Sequence, residues 1–335
     1  MLLPRSLRAV LASCLAATLA VTLSPADAAP QLRSDDGTIT GADGDIYPRS
    51  PGVVKGRNDD LYDGYTYDIV CQDWAAGVKQ DIDRVAKLAD LIEKSGRKVV
   101  LVVVPPKAVV NTGNVVRNKL PHGTCDRTGL DQQLKLYDNY KDPRFLHIRS
   151  ALAEAAKQRQ LFWKTDPHWT TVGSSIYTKI LANHLSPALG KLQKYKRGPD
   201  QTAVGALTRL QGGDTPETVE SLVTKSSVKV TDKPGTEPLT TPYIKSHEWT
   251  SKPAKLTYPG RTLAIGDSMA YTGIFQLRPL FRRGQFMWAN NTDKAMAKAI
   301  RKANTVILEV SHLFIRVTPL GTKSLRTAVR RELAR

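Results

Sequence analysis

The sequence predicts an α/β fold: a parallel sheet covered by helices on both faces, with an irregular insertion. Three observations carry this prediction. Lys98 to Val104 (KVVLVVV) is a continuous run rich in β-branched residues, the mark of a strand buried on both faces, and Thr305 to Val310 (TVILEV) reads as another strand. Segments with apolar residues at helical spacing lie between the strand candidates. The two kinds of segment alternate, as they do in doubly covered parallel sheets.

Taken in order, residues 30–70 are rich in Gly, Asp and Tyr and read as irregular structure with short strands. From Trp74 onward, Val78, Ile82, Val85, Leu88, Ala89 and Ile92 recur at helical spacing, and Gly96 supplies a stop. The strand from Lys98 ends at Pro105-Pro106. Phe145 to Ile148 and Leu161 to Trp163 are predicted as short strands, Ala151 to Gln158 and Thr171 to Leu185 as helices. Further on, Thr262 to Ile265 and Gln285 to Trp288 read as strands, Met269 to Phe281 and Thr292 to Lys302 as helices. Residues 190–259, rich in Thr, Lys, Pro, Ser and Gly, break the alternation. They read as an insertion with short strands or a partly mobile cap. The expected organisation is a signal peptide at 1–28, an irregular segment at 29–70, one domain in two parts (71–189 and 260–318) around the insertion, and a basic tail at 319–335.

The amino terminus sets the expected compartment. Met1 to Arg8 holds two arginines and no acid, Ala9 to Leu23 is mostly apolar, and Ala26-Asp27-Ala28 follows. This describes an export signal cleaved after Ala28, with an apolar stretch too short for a comfortable membrane span. Leu11-Ala12-Ser13-Cys14 also looks like a lipoprotein box, but the apolar run continues past the cysteine. The chain is expected to be secreted, periplasmic or cell-envelope associated. Cys71 and Cys125 then meet an oxidising environment, where they can pair; two buried thiols are the alternative. A disulfide closing a loop of about 55 residues is worth roughly 4 kcal/mol in the chain-entropy model.

Composition excludes several classes. The 335 residues include three cysteines and carry a formal net charge of +18. There is no CxxC, GxGxxG, GxxxxGK[ST] or HExxH, so the usual zinc, dinucleotide, P-loop and metalloprotease signatures are missing. Asp43-Gly44-Asp45 lacks the remaining acids of an EF-hand loop. The charge favours an anionic partner. Export directs that expectation away from nucleic acid and towards anionic glycans, teichoic-type polymers or lipid headgroups.

One constellation carries chemistry. Thr262-Leu263-Ala264-Ile265-Gly266-Asp267-Ser268 is an apolar strand ending in Gly-Asp-Ser, with a helix predicted next. Ser268 therefore stands at a strand's carboxyl end and a helix's amino end, where open α/β sheets bind ligands and free N–H groups favour an oxyanion. A plain helix cap is the alternative role. A nucleophilic serine needs a base and an orienter. Of the six histidines, only His168 stands beside a suitable acid in a compact segment, Lys164-Thr165-Asp166-Pro167-His168-Trp169. Pro167 stiffens the turn and biases Asp166 away from helical angles.

These segments resemble, in order, the alginate O-acetyltransferase family, an extracytoplasmic branch of the SGNH-hydrolase superfamily. Gly41-Ala42-Asp43-Gly44-Asp45-Ile46-Tyr47 looks like a degraded Asp-Gly-aromatic segment, without the family's Trp-Leu-Phe. Val103-Val104-Pro105-Pro106-Lys107 resembles a strand followed by Pro-x-Lys. Thr165 to Gly173 matches the Thr-Asp-x-His-Trp signature with its trailing glycine. Gly212-Gly213-Asp214 resembles a Gly-Asp segment between the halves of the site, Gly266-Asp267-Ser268 the nucleophile block, and Val306 to Val310 with Glu309 the last strand. In this branch the Asp-x-His element precedes the serine, as it does here.

The resemblance implies a three-layer SGNH-hydrolase-like fold, with Ser268 as nucleophile, His168 as general base and Asp166 as orienter. Asn290, Asn291, Lys107 and Asp267 are candidates for oxyanion or substrate contacts. It implies an acetyl group moved onto glycan hydroxyls, supplied by a membrane-bound acyltransferase, with no metal or diffusible cofactor. No carbohydrate-binding module is expected, since the chain runs only about twenty residues past the last strand. A secreted esterase and a non-catalytic cationic glycan-binding protein are the rival readings.

Overall fold

The run KVVLVVV forms a strand, β1 (Lys98–Val104), with Val99, Leu101 and Val103 buried on one face and Val100, Val102 and Val104 on the other. Burial on both faces requires a layer on each side. The computed structural model describes residues 37–239 and 244–335; the proposed signal at 1–28 lies outside them. The other strands of the main sheet are β2 (Lys229–Asp232), β3 (Ser246–Lys252), β4 (Tyr258–Gly266), β5 (Phe281–Trp288) and β6 (Thr305–Ser311). Their order is β2-β3-β5-β4-β6-β1. The last four are parallel, whereas β2 and β3 run antiparallel. The sheet is thus mixed, not wholly parallel. In β3 burial alternates residue by residue, the habit of a strand with one wet face.

Helices α1 (Gly64–Glu93), α2 (Thr124–Asn139), α6 (Asp293–Lys302) and α7 (Lys323–Leu333) cover one face. Their apolar stripes, such as Ile82, Val85 and Leu88 on α1, share a core with Val99 and Leu101. Helices α3 (Arg149–Ala156), α4 (Thr171–Leu185) and α5 (Ser268–Thr272) cover the other. Four two-stranded antiparallel ribbons accompany this three-layer body. Thr38–Thr40 pairs with Ile46–Pro48, and Val53–Lys55 with Leu61–Asp63. Within residues 190–259, Tyr195–Arg197 pairs with Leu222–Thr224, and Gln201–Ala203 with Glu217–Val219.

Four local expectations are corrected. The first helix begins at Gly64, ten residues before the periodic stretch. Asp63 caps it by accepting from the Tyr65 amide, and the chain kinks at Trp74, where φ is 44°. The helix expected over Met269 to Phe281 breaks after Thr272 into Ile274–Leu277 and the 3-10 turn Arg278–Leu280. Pro279 lacks the amide a continuing helix would use. Phe281 already belongs to β5. The strands expected at Phe145 to Ile148 and Leu161 to Trp163 reduce to single bridges, Leu101 with Phe145 and Phe162 with Trp169. Helix α2 was not anticipated: its mean pattern is polar, and tertiary anchoring holds it.

That anchor is a disulfide between Cys71 and Cys125, with Cα atoms 5.1 Å apart. It joins α1 to α2 beside Ile39, Tyr47 and Trp74. Replacing both cysteines with alanine is expected to lower unfolding free energy by roughly 4 kcal/mol in denaturant titration. An unchanged midpoint would remove the bridge from the account of stability.

Candidate active site

Segment 161–170 is a tight hairpin. The Trp163 amide donates to the His168 carbonyl, and the Thr170 amide to the Leu161 carbonyl. Lys164 to Pro167 forms its tip. There His168 Nδ1 lies 2.6 Å from Asp166 Oδ1, which also accepts from the His168 amide at 2.9 Å. This pairing assigns the proton to Nδ1 and leaves Nε2 as an acceptor. Asp166 Oδ2 accepts from the Ala206 amide at 2.9 Å, so both carboxylate oxygens are held. Both side chains are mostly covered, with 17% and 18% exposure.

Burial acts to push the His168 imidazolium down. The Asp166 carboxylate overcomes this, with Asp267 adding to it, and the imidazole's pKa is raised. Burial likewise works against Asp166, but the His168 charge and three hydrogen bonds hold its pKa below the usual carboxylate range.

Ser268 opens α5 where β4 ends. Gly266 is needed there: a Cβ would come within 2.4 Å of Ala270 Cβ, so the turn into the helix admits no side chain. Asp267 caps α5 by accepting from the Met269 amide at 2.9 Å, and it ties β4 to β6 by accepting from the Ser311 amide at 2.6 Å. Ser268 is half-buried, and among the described residues its hydroxyl makes no hydrogen bond. The two stretches meet through neighbouring groups. His168 and Asp267 feel each other's charge. A Cβ on Gly273, just past α5, would lie 3.5 Å from Trp169 Cζ2.

The remaining candidates take different places. Lys107 is 5% exposed. Its ammonium is 3.0 Å from Asp60 Oδ1 and donates to the carbonyls of Leu61, Trp163 and Lys164 at 3.0, 2.7 and 2.8 Å. It anchors the hairpin and has no donor left for substrate, which corrects the substrate-contact expectation. Asp267, with both oxygens occupied, is likewise a structural tie. Asn291 Nδ2 donates to the carbonyls of Lys245 and Trp288, so its amide does not face an oxyanion. Asn290 is exposed in the same turn, which the Ala289 amide fastens to the Gly266 carbonyl at 2.8 Å.

Several groups were not legible as site residues. Glu217 accepts from Gln160 Nε2 and the Lys164 amide with Oε1, and from the Thr165 amide and hydroxyl with Oε2. It clamps the hairpin tip from a segment fifty residues away that carries no motif. The segment at Gly205 packs against the same tip, where a Cβ would lie 2.1 Å from the Thr165 carbonyl oxygen. Gly212-Gly213-Asp214, the motif noticed nearby, forms a largely exposed turn. Beneath the site, Tyr177 stacks on Trp169 with centroids 5.1 Å apart and donates to Glu309 Oε2 at 2.6 Å.

Glu309 is fully buried, and burial pushes its pKa up to about 8, with Asp267 adding to the rise against the Tyr177 hydrogen bond. A raised folded pKa means stability is lost as pH climbs from the unfolded value, near 4.3, to about 8, at about 1.4 kcal/mol per unit. Glu309→Gln, which cannot ionise, is expected to match wild type near pH 4 and to melt higher at pH 8. Parallel melting curves across that range are the test, and equal melting at both ends would refute the neutral carboxyl.

Cys71, His122 and Asp126 place ligand-type atoms within 4.8 Å of one another. The Cys71 sulfur is in the disulfide, and His122 Nδ1 pairs with Asp126 Oδ1 at 2.9 Å, so this donor set is committed to structure. A cavity of about 460 Å³ beside Lys79, Asp83 and Tyr140 includes none of the hairpin or Ser268 residues. The Asp166–His168 pair, not cavity size, marks the site.

Comparison with known proteins agrees with this fold. Residues 53–238 match the family described as SGNH hydrolase-like domain, acetyltransferase AlgX. The match includes Asp166 and His168 and stops before Ser268. The chain is 29% identical over 160 residues to a probable alginate O-acetylase AlgJ of Pseudomonas syringae pv. tomato. That alignment covers 47% of this chain and spans only 38% of the relative. Among solved structures, the O-acetyltransferase domain of Pseudomonas putida AlgJ superimposes with a TM-score of 0.50 at 16% identity, covering 84% of this chain and 99% of that one. Bacillus cereus PatB1, solved with a sulfonyl adduct, gives a TM-score of 0.54 at 12% identity, covering 78% and 97%.

Proposed function

The chain belongs to the family of SGNH hydrolase-like domains of the AlgX acetyltransferase type, and from that premise we propose that it is an O-acetyltransferase acting on a polysaccharide through an acyl-Ser268 intermediate. The observation that carries this reading is the 2.6 Å pair between His168 and Asp166, electrostatically coupled to Asp267, the residue before Ser268. In the proposed cycle, Ser268 Oγ attacks the donor carbonyl while His168 Nε2 takes its proton. The Ser268 amide faces the developing oxyanion, and Asn290 is the candidate for a further donor. His168 returns the proton to the departing donor oxygen. It then takes a proton from a glycan hydroxyl, which attacks the acyl-serine, and gives it back to Ser268.

The proposed setting is outside the cytoplasm. The Cys71–Cys125 disulfide supports this, as does the amino-terminal signal pattern. No helix among the described residues is long and apolar enough to cross a membrane. The net charge of +18 fits an anionic glycan acceptor, and a membrane acyltransferase is the proposed acetyl supplier. The test gives the purified chain an activated acetyl ester with and without an oligosaccharide. Acetylated sugar is the expected product. Free acetate alone, in the presence of acceptor, would make the chain an esterase; no turnover would favour the non-catalytic reading.

A further inference from the structure

We infer that the end of the sheet opposite Ser268 is a cationic docking face for an anionic lipid surface. The parallel strands β5, β4, β6 and β1 begin together there, with Gly284, Thr262, Thr305 and Lys98 level in register. The carboxyl ends of α1, α6 and α7 reach the same end. Arg97 donates to the carbonyls of Ile300 and Arg301 at the end of α6, and Arg301 pairs with Glu332 of α7. Lys94, Arg282, Arg283, Lys302, Arg330 and Arg331 are exposed around this end, and none of them has a carboxylate partner among the described residues. Burial and the neighbouring Arg301 both lower the Arg97 pKa, as expected where cations outnumber acids.

Shape decides the occupant. Four strands about 4.8 Å apart, flanked by helices roughly 10 Å across, spread the charges over a face some 30 Å wide. The two cavities of about 460 and 420 Å³ lie elsewhere, on either side of Tyr140. A broad spread of cations complements a plane of headgroup phosphates better than a single threaded polymer strand. Five residues of β4 and Asp267 separate Arg261 from Ser268, about 23 Å along an extended strand. Docking would therefore hold the reactive serine away from the lipid, pointing outward. The inference does not rest on the chemistry proposed for Ser268.

The test is co-sedimentation of the full chain with phosphatidylglycerol-containing vesicles and with phosphatidylcholine vesicles, at low and raised salt. Binding is expected only to the anionic vesicles and should fade with salt. Each cation near such a surface contributes roughly fivefold to partitioning. The triple variant Arg282→Gln, Arg283→Gln, Lys302→Gln is therefore expected to bind about a hundredfold more weakly, with unchanged melting because all three are exposed. The control Lys55→Gln, Lys196→Gln, Lys225→Gln removes equal charge elsewhere and is expected to bind like wild type. Equal weakening in both variants, or no binding to anionic vesicles at low salt, overturns the proposal. So does a loss in the first variant confined to a soluble polyuronate, with vesicle binding intact.

Discussion

Ser268→Ala is expected to reduce acetyl transfer by roughly 10⁴-fold or more, the scale seen when a nucleophile that acts as a unit with its base is removed. The substitution deletes one hydroxyl that is half-buried and unbonded within the chain. Its effect on stability is therefore expected to stay within about 0.5 kcal/mol, and the melting curve should overlay that of wild type. This separation makes the test sharp. Binding of oligosaccharide should survive, while labelling by a serine-directed fluorophosphonate should vanish and map to the Ser268 peptide in the parent chain. Transfer near the wild-type rate in Ser268→Ala would reject the acyl-serine mechanism, whatever the fold.

Asp166→Asn is the second large effect. Asp166 holds the Nδ1 proton of His168 and accepts from the amides of His168 and Ala206. Asparagine keeps the shape but loses the charge, and its amide group can present the wrong donor to the ring. In Ser-His-Asp sites that change costs on the order of 10⁴ in kcat. The pH profile supplies a second readout. The proposed base His168 can accept a proton only when neutral, so wild-type activity should rise with pH through an imidazole pKa lifted above its ordinary value near 6.5. Without the Asp166 charge, burial prevails and the pKa falls. The remaining activity should therefore begin at lower pH than in wild type. A variant with full kcat and an unmoved acidic limb would show that Asp166 is only a turn residue.

These two residues show what kind of information is local. Asp166 and His168 are two positions apart, and Pro167 limits how the backbone between them can bend, so their pairing is encoded within six residues. The runs that form β1 and β6 are also local, because β-branched residues without polar alternation need two apolar faces. Helix α4 was found at Thr171–Leu185, where Thr170 caps the start, its hydroxyl oxygen accepting from the Gly173 amide. The early part of α1 was missed because Gly64 to Asp73 is poor in helix formers. Its burial against the core and the disulfide to α2 stabilise it instead. The break after Thr272 falls at Gly273, and Pro279 in the last turn was a second signal; the apolar pattern around them obscured both.

Other features had no local trace. Lys107 reads as a substrate cation in the chain, yet it ends buried among three carbonyls and Asp60. Glu217 reads as one acid in a Thr-rich stretch, yet its carboxylate holds the tip of the Asp166–His168 hairpin. The cationic end opposite Ser268 is assembled from the starts of strands and the ends of helices that lie up to some two hundred residues apart in the chain.

The order of residues alone thus determined the layered α/β architecture, the strand-to-helix turn carrying Ser268 and the local Asp166–His168 pair, because periodicity and short turns act over one or two turns of chain. Only the folded chain decided that Asp267 lies within electrostatic reach of His168, that Lys107 and Glu217 are clamps rather than ligands, and that unpaired cations gather at one end. Those outcomes depend on desolvation and charge between segments far apart in sequence, which take effect only once the sheet has brought them together.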